Sequence, residues 1–105
     1  MFLDPDYGNL SYEWEGKLQA VTKGVHAFLL KSKGRSELYI NGKKLIENPG
    51  FIKQPVSAQN VMELAPGFHD IRVRYSQAGM FAALELRWAE PGGFDELVPI
   101  DALSY

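Results

Sequence analysis

LYINGKKLI, residues 38–46, places an Asn-Gly pair between two short apolar runs. The tight turn that joins two antiparallel strands needs positive φ at both central residues, and Asn followed by Gly tolerates it best. The sequence therefore predicts a β-hairpin that turns at Asn41 and Gly42, with Lys43 as the first residue of the return strand.

Alternation of apolar and polar residues continues on both sides of this hairpin. Period-two alternation is typical of strands that bury one face against a core. Three segments show it, with inward positions at Tyr12, Trp14, Gly16, Leu18 and Ala20, at Ile71, Val73 and Tyr75, and at Leu84, Leu86 and Trp88. The run Val25–Leu30 is almost continuously apolar, which predicts a strand covered on both faces.

The remaining segments complete an all-β pattern. The sequence predicts a short strand at Asn60–Leu64, an extended edge segment at Leu97–Ile100, one long hairpin over residues 68–88, and a long loop over residues 48–57. About seven short strands, with turn residues roughly every ten positions, are typical of a sandwich or barrel. We therefore predict one all-β domain over residues 1–105, an antiparallel β-sandwich.

Composition limits the partners that such a domain can have. The 105 residues carry 11 basic and 13 acidic side chains, for a formal net charge of −2, and no cysteine. This balance gives no general attraction to phosphate backbones or anionic membranes, and the lack of thiols excludes disulfides and thiolate metal sites. No apolar run reaches the ~20 residues of a membrane helix. We expect no nucleic-acid partner and no direct membrane insertion.

No residue pattern indicates catalysis. His26 and His69 lack further metal-ligating residues at strand spacing, and the sequence has no Gly-x-Ser-x-Gly turn and no glycine-rich loop that opens a helix. We predict that both imidazoles are packed or bonded within turns, and that Trp14 and Trp88 lie in the core. The chain is therefore expected not to be an enzyme.

Charged residues at outer strand positions allow two interpretations. Arg72, Arg74 and Arg87 could line up on neighbouring strands as a basic stripe, or they could form cross-strand ion pairs. Glu13 and Glu15 are interpreted as part of a solvated charged face, because the outer face of an antiparallel sheet is normally polar.

Five segments follow one another in an order and spacing that resembles a known family. They are Trp14–Leu18 (WEGKL), Gly24–Ser32 (GVHAFLLKS), Leu38–Lys43 (LYINGK), Leu64–Tyr75 (LAPGFHDIRVRY) and Leu84–Gly93 (LELRWAEPGG). Over about residues 12–103 the sequence resembles the protective-antigen-type, or PA-fourteen, domain. The resemblance implies a jelly-roll-like, lectin-like accessory domain of glycosidases, glycosyltransferases, proteases, adhesins or toxins, in an extracellular or periplasmic location.

The sequence departs from the family pattern in two places. Several family members bind glycans through a calcium ion held by consecutive aspartates, and the aligned positions here are Lys33 and Gly34. Calcium prefers several hard oxygen ligands, which a lysine cannot supply, so we predict no calcium cofactor. The family's longer N-terminal stretch is reduced to Phe2–Asn9, which implies either an excised fragment or a sandwich that lacks this edge strand.

The resemblance implies a non-catalytic module that binds or positions a glycan within a larger carbohydrate-active or cell-surface protein, and the departure at Lys33 and Gly34 predicts that it does so without calcium. Cationic loop residues would pair with an acidic saccharide. The alternative interpretation, which is the more common one for such residues, is that Lys33 and Arg35 are ordinary solvated turn residues. The candidate binding residues are Lys33, Arg35, Asn41, Lys53 and Phe51.

The alternative function is a structural or protein–protein interaction domain that binds no glycan. Phe51 and Ile52 lie in the predicted long loop, where an exposed apolar pair would form a contact patch. The expected partners in that case are other domains of the parent protein, and any glycosyltransferase or glycosidase activity would belong to those domains.

Overall fold

The computed structural model describes residues 2–3, 10–50, 54–77 and 83–104, which form two antiparallel sheets. The strands within these residues are β1 (Phe2–Leu3), β2 (Leu10–Ala20), β3 (Gly24–Lys33), β4 (Arg35–Ile40), β5 (Lys43–Asn48), β6 (Val56–Leu64), β7 (Gly67–Gln77), β8 (Ala83–Ala89), β9 (Glu96–Leu97) and β10 (Leu103–Ser104), with a 3₁₀ turn at Ile100–Ala102. No helix in this part of the chain is long and apolar enough to cross a membrane.

The two sheets each contain five strands. Sheet I has the order β1-β8-β3-β6, with β9 also paired to β8, and sheet II has the order β10-β2-β7-β4-β5. Among the described strands, the chain changes sheet at every connection except β4–β5 and β8–β9. The predicted all-β antiparallel sandwich is therefore confirmed.

The core lies between the sheets and is built from the predicted inward positions. Phe28 and Trp88 of sheet I face Leu18 and Val73 of sheet II in one hydrophobic cluster, and none of these four is more than 2% exposed. Burial of such a side chain contributes about 1.5–3 kcal/mol. Trp14 is partly buried against the same cluster, so the predicted core positions of both tryptophans are confirmed.

The Asn-Gly hairpin forms as predicted. Asn41 has φ 51° and Gly42 has φ 79°, so both central residues occupy the left-handed region that this turn requires. β4 ends at Ile40 and β5 begins at Lys43. The turn fixes the register of the two strands as far as the pair Tyr39–Lys44, beyond which a bulge at Leu45 shifts it by one residue.

The prediction that Val25–Leu30 is covered on both faces is wrong. Val25 is 54% exposed, and the burial along β3 alternates with period two. Sheet I has one buried face, and the described residues place no further layer on the other. Alternate residues of the apolar run therefore face the core, and the residues between them lie on the outer face of sheet I.

The prediction of one long hairpin over residues 68–88 is also wrong. β7 pairs with β2 and β4 in sheet II, whereas β8 pairs with β3, β1 and β9 in sheet I. Each strand has one apolar face, and placing the strands in opposite sheets directs both faces into the same core. The alternation of apolar and polar residues looks the same whether two consecutive strands pair as a hairpin or lie in opposite sheets, so it does not distinguish the two arrangements.

Both histidines are packed or bonded within turns, as predicted. His26 is fully buried, and its Nδ1 lies 3.0 Å from the carbonyl oxygen of Gly24. His69 accepts a hydrogen bond from the Asn41 amide at Nδ1 (2.9 Å) and donates one from Nε2 to the carbonyl of Ala65 (2.7 Å).

Several segment boundaries differ from the prediction. β5 extends to Asn48 and β6 already begins at Val56, so the predicted loop over residues 48–57 is shorter, and its residues 51–53 lie outside the described residues. Of the predicted edge segment Leu97–Ile100, only Leu97 lies in a strand, β9, which pairs with β8, and Ile100 already begins the 3₁₀ turn. Phe2–Leu3 also pairs with β8. A short N-terminal strand therefore occupies an edge that the sequence predicted could be missing.

Candidate functional site

The outer face of sheet II carries opposite charges on neighbouring strands. In the β2–β7 register Glu13 lies opposite Arg74 and Glu15 lies opposite Arg72. The closest oxygen–nitrogen distances are 3.4 Å for the first pair and 3.8 Å for the second. Arg87 belongs to sheet I, where it contacts Asp95 at 2.9 Å. The cross-strand ion pairs are thus confirmed, whereas a basic stripe that includes Arg87 does not form.

A second group of ion pairs joins β4 to β5. Glu37 and Glu47 lie directly opposite each other, and two cations separate them. Arg35 lies 2.8 Å from Glu47, and Lys44 lies 2.8 Å from Glu37 and 3.4 Å from Glu47. The cations convert a repulsive cross-strand pair of carboxylates into a compact network.

This network perturbs the ionisation of its members. The hydrogen bond from Lys44 holds the pKa of Glu37 below its ordinary value, and the same bond raises the pKa of Lys44. The Glu37 side chain is only 12% exposed, so water screens its pairing less than it screens that of fully exposed groups. Glu37 is therefore held as a carboxylate on the outer face of the sheet.

Tyr39 lies at the centre of these charges. Its neighbour across the β4–β7 pairing is Arg72, whose guanidinium carbon lies 4.2 Å from the ring centroid. The Tyr39 hydroxyl donates to Glu37 over 3.4 Å, and its hydrogen bond with Arg74 raises the pKa of that guanidinium. Lys44 Nζ lies 5.9 Å from the ring centroid. Cationic groups thus surround a half-buried aromatic ring.

Two shallow grooves open on either side of Tyr39. One has a volume of about 620 Å³ and the other about 510 Å³, both within the ~300–1,000 Å³ range of ligand pockets. Tyr39 lines both grooves. We call this surface the charged face, and its residues are Glu13, Glu15, Arg35, Glu37, Tyr39, Lys44, Asp70, Arg72 and Arg74.

The structure brings only some of the predicted binding residues together. Lys33 and Arg35 flank Gly34 at the junction of β3 and β4, and Arg35 lines the larger groove. Asn41 lies beyond the other end of β4, about 20 Å away for a six-residue strand. Its amide nitrogen donates to His69, and its oxygen accepts from the backbone N–H of Asp70.

Two of the predicted residues, Phe51 and Lys53, lie outside the described residues. The preceding residue, Gly50, has φ 69° and packs against the backbone of Gly34 so closely that a Cβ atom would collide with it. The described residue that precedes Phe51 therefore lies at the same junction as Lys33 and Arg35. Their contribution to binding remains a prediction.

Buried polar groups organise the junction between β3 and β4. Ser32 donates a hydrogen bond to the carbonyl of Gly34 (2.8 Å), and the hydroxyls of Ser32 and Ser36 lie 2.7 Å apart. Asn48 donates to the carbonyls of Leu30 (3.0 Å) and Val56 (2.8 Å). These bonds give buried backbone carbonyls side-chain partners.

The residues at the positions aligned with the family's aspartates do not fit a calcium ion. Gly34 is buried without a side chain and its carbonyl accepts from Ser32, while the carbonyl of Lys33 accepts from the Tyr75 hydroxyl. Within residues 12–50, 54–76, 84–99 and 101–104, whose side chains are described, no three His, Asp or Glu side chains converge to hold a metal. Calcium prefers several hard oxygen ligands, carboxylates in particular.

Sequence reasoning missed the central residue of the charged face. The apolar run predicted at residues 38–40 includes Tyr39, but Leu38 and Ile40 are fully buried whereas Tyr39 is only partly buried. The period of a strand gives the signal that could have found it. Tyr39 shares its side of β4 with Arg35 and Glu37, and this places it on the charged outer face.

Comparison with solved structures supports the fold assignment. An anti-sigma factor domain-containing protein matches with a TM-score of 0.82 and 26% identity, over 90% of this chain and 33% of that chain. The PA14 sugar-binding domain from an RTX adhesin matches with a TM-score of 0.78 and 19% identity, over 93% of this chain and 55% of that one.

A fungal adhesin shares the fold at much lower identity. The A domain of a subtype-switched epithelial adhesin 9 from Candida glabrata, in complex with β-lactose, matches with a TM-score of 0.79 and 9% identity, over 93% of this chain and 51% of that chain. This chain thus spans about a third to just over half of the three structures.

The comparison of sequences gives the family. A search among curated proteins found no match. The PA14 domain family matches residues 3–102, which is nearly the whole chain and includes all the strands that form the charged face. The chain therefore belongs to the PA14 domain family.

Proposed function

We propose that this PA14 domain is a non-catalytic carbohydrate-binding module that acts without calcium within a larger carbohydrate-active or cell-surface protein. The charged face carries this proposal, because it combines an aromatic ring with densely placed hydrogen-bonding groups beside two grooves. The sugar-binding PA14 domain of the RTX adhesin has the same fold. An extracellular or periplasmic location agrees with that relationship.

The chemistry of the charged face suits a sugar. Each sugar hydroxyl can donate one hydrogen bond and accept two, as serine and threonine hydroxyls do. Carboxylates such as Glu13 and guanidinium groups such as Arg74 offer an acceptor and a donor a few ångströms apart. Hydrogen bonds to ionised groups are stronger than those between neutral groups, and the Tyr39 ring adds apolar surface.

The chemistry of the β3–β4 junction supports independence from calcium. Lys33 brings a positive charge to the place where relatives carry acidic ligands, and the carbonyl of Gly34 already accepts a hydrogen bond. Any sugar bound by this chain would be held by its own side chains. Lys33 neighbours Arg35 and is a further candidate for binding, and Phe51 and Lys53 stay candidates from the sequence.

A glycan microarray tests the proposal. The purified chain is applied to neutral, uronic, sulfated and phosphorylated glycans, once with calcium and once with EDTA. We expect reproducible binding to a subset of glycans, with equal intensity in both buffers. Binding that disappears in EDTA would contradict the calcium-independent mechanism, and the absence of binding to every glycan would contradict the function.

A second candidate function, a contact surface for a neighbouring domain of the same polypeptide, is favoured by one observation. Val25 (54% exposed) and Val61 (56% exposed) lie with Ala27 on the outer face of sheet I, and exposed apolar patches mark interaction sites. Hydrogen exchange would compare this chain alone with its parent protein. Stronger protection of β3 and β6 in the parent supports this function, and equal protection rejects it.

A further inference from the structure

We infer that the charged face binds a chain of uncharged sugar units, rather than an acidic saccharide or a single terminal sugar. This inference rests on the proposed function and specifies its ligand. From the sequence alone, the cationic loop residues suggest an acidic ligand. The contacts that the cations of this face make with carboxylates favour an uncharged ligand instead.

The charges that line the two grooves cancel. Every cation on this face lies within 4.0 Å of a carboxylate, with Arg35 and Lys44 at 2.8 Å from their partners. An acidic ligand would have to displace one of these carboxylates or face it at short range, and like charges at short range repel. The grooves are lined by equal numbers of opposite charges, namely the carboxylates of Glu13, Glu15, Glu37 and Asp70 and the cations of Arg35, Lys44, Arg72 and Arg74.

Two ion pairs on this face are loose and partly exposed. Arg72 lies 3.8 Å from Glu15 and Arg74 lies 3.4 Å from Glu13, which exceeds the ~2.7–3.2 Å of an ordinary N–H···O hydrogen bond. Both partners of each pair therefore keep hydrogen-bonding capacity towards a ligand that lies beside them. A sugar hydroxyl suits this position, because it accepts from the arginine and donates to the glutamate. An ionised carboxylate or sulfate cannot donate to the glutamate.

The shape of the surface favours a chain. The two grooves share Tyr39 and follow β7 from Ser76 to Asp70, a span of about 20 Å at the usual rise per residue. A single sugar would occupy one groove and contact one group of ion pairs. A longer chain would pass Tyr39 and use both grooves, so its affinity should increase with its length.

Isothermal titration tests the inference with defined probes. Neutral cello-, xylo- and manno-oligosaccharides of two to six units are compared with oligogalacturonates and heparin fragments of similar length. We expect the best neutral series to gain about tenfold or more in affinity from two to six units. We also expect it to bind more tightly than any acidic probe at the same salt concentration.

Two variants connect binding to the charged face. Tyr39→Ala should weaken binding of the preferred chain by about tenfold or more. Glu15→Gln removes an exposed carboxylate without loss of volume, so it should keep the fold, weaken the neutral chain and reduce the disadvantage of the acidic probes. Lys31→Ala, on the outer face of sheet I, is the matched control and should bind as the unmodified chain does. Circular dichroism verifies that each variant is folded.

The outcomes separate this inference from the function on which it rests. Tighter binding of acidic probes, an affinity independent of length, or binding that survives Tyr39→Ala and Glu15→Gln in folded protein would overturn the inference but leave carbohydrate binding intact. If neither these probes nor a full glycan array gave binding, both would be wrong.

Discussion

Substitution of Asn48 by alanine should destabilise the domain through the bonds that join its two sheets. Asn48 ends β5 in sheet II and is 1% exposed. It donates to Leu30 of β3 at 3.0 Å and to Val56 of β6 at 2.8 Å, both in sheet I, and it accepts from the N–H of Gly50 at 2.9 Å. One side chain thus holds both sheets and the start of the following loop.

The expected loss follows from the burial of each bond. The bond to Leu30 is fully buried, and an unsatisfied buried carbonyl costs about 1–3 kcal/mol. The bonds to Val56 and Gly50 are partly buried, so water replaces Asn48 there and each costs about 0.5–1.5 kcal/mol. The free energy of unfolding should decrease by about 3 kcal/mol, which corresponds to a melting temperature lower by roughly 15 °C.

Urea denaturation monitored by tryptophan fluorescence measures this loss, because Trp88 is buried in the core. Asn60→Ala is the matched control. Asn60 also joins the two sheets, with a bond of 2.9 Å to the carbonyl of Leu45, but its side chain is exposed. We expect a cost of about 1 kcal/mol or less for the control. If the free energy of unfolding falls equally in both variants, the buried bonds of Asn48 do not stabilise the contact between the two sheets.

Two further predictions concern the same region of the molecule and the charged face. Gly50→Ala should lower the free energy of unfolding by at least about 3 kcal/mol, because it combines positive φ with a collision against Gly34. Gly42→Ala, in the open hairpin turn, should lower it by only about 1–2 kcal/mol. Equal losses in urea denaturation would contradict the close contact. The pKa of Glu37 is lowered by Lys44, so its stabilising contribution is present above the ordinary carboxyl pKa and is lost as the pH falls through the lower folded value. NMR titration should show this pKa rising towards its ordinary value in Lys44→Met, and an unchanged pKa would refute the pairing.

The parts of the fold that depend on local pattern were predictable from sequence. The turn at Asn41 and Gly42 follows from two residues that tolerate positive φ, and the inward positions of β2, β7 and β8 follow from alternation. The partners of each strand were not predictable in the same way. Alternation shows that Val73 and Leu86 are buried, but it is silent about which sheet contains each residue.

The candidate site was predictable only in part, for a related reason. Arg35 was recognised as a cationic residue, and the structure places it in the larger groove. Its pairing with Glu47 depends on the register between β4 and β5, which the sequence does not specify beyond the hairpin turn. The cationic surroundings of Tyr39 include Arg72, which belongs to a strand far away in sequence. Charge balance across a sheet emerges only when the order of its strands is known.

Amide chemical-shift mapping in EDTA tests the central claim most directly. The best neutral oligosaccharide from the titrations is added to isotopically labelled chain, first with EDTA and then with excess calcium. The account predicts that shifts concentrate in β2, β4 and β7, around Tyr39, and that calcium does not change them. Shifts that require calcium, or that fall on sheet I instead, would contradict it.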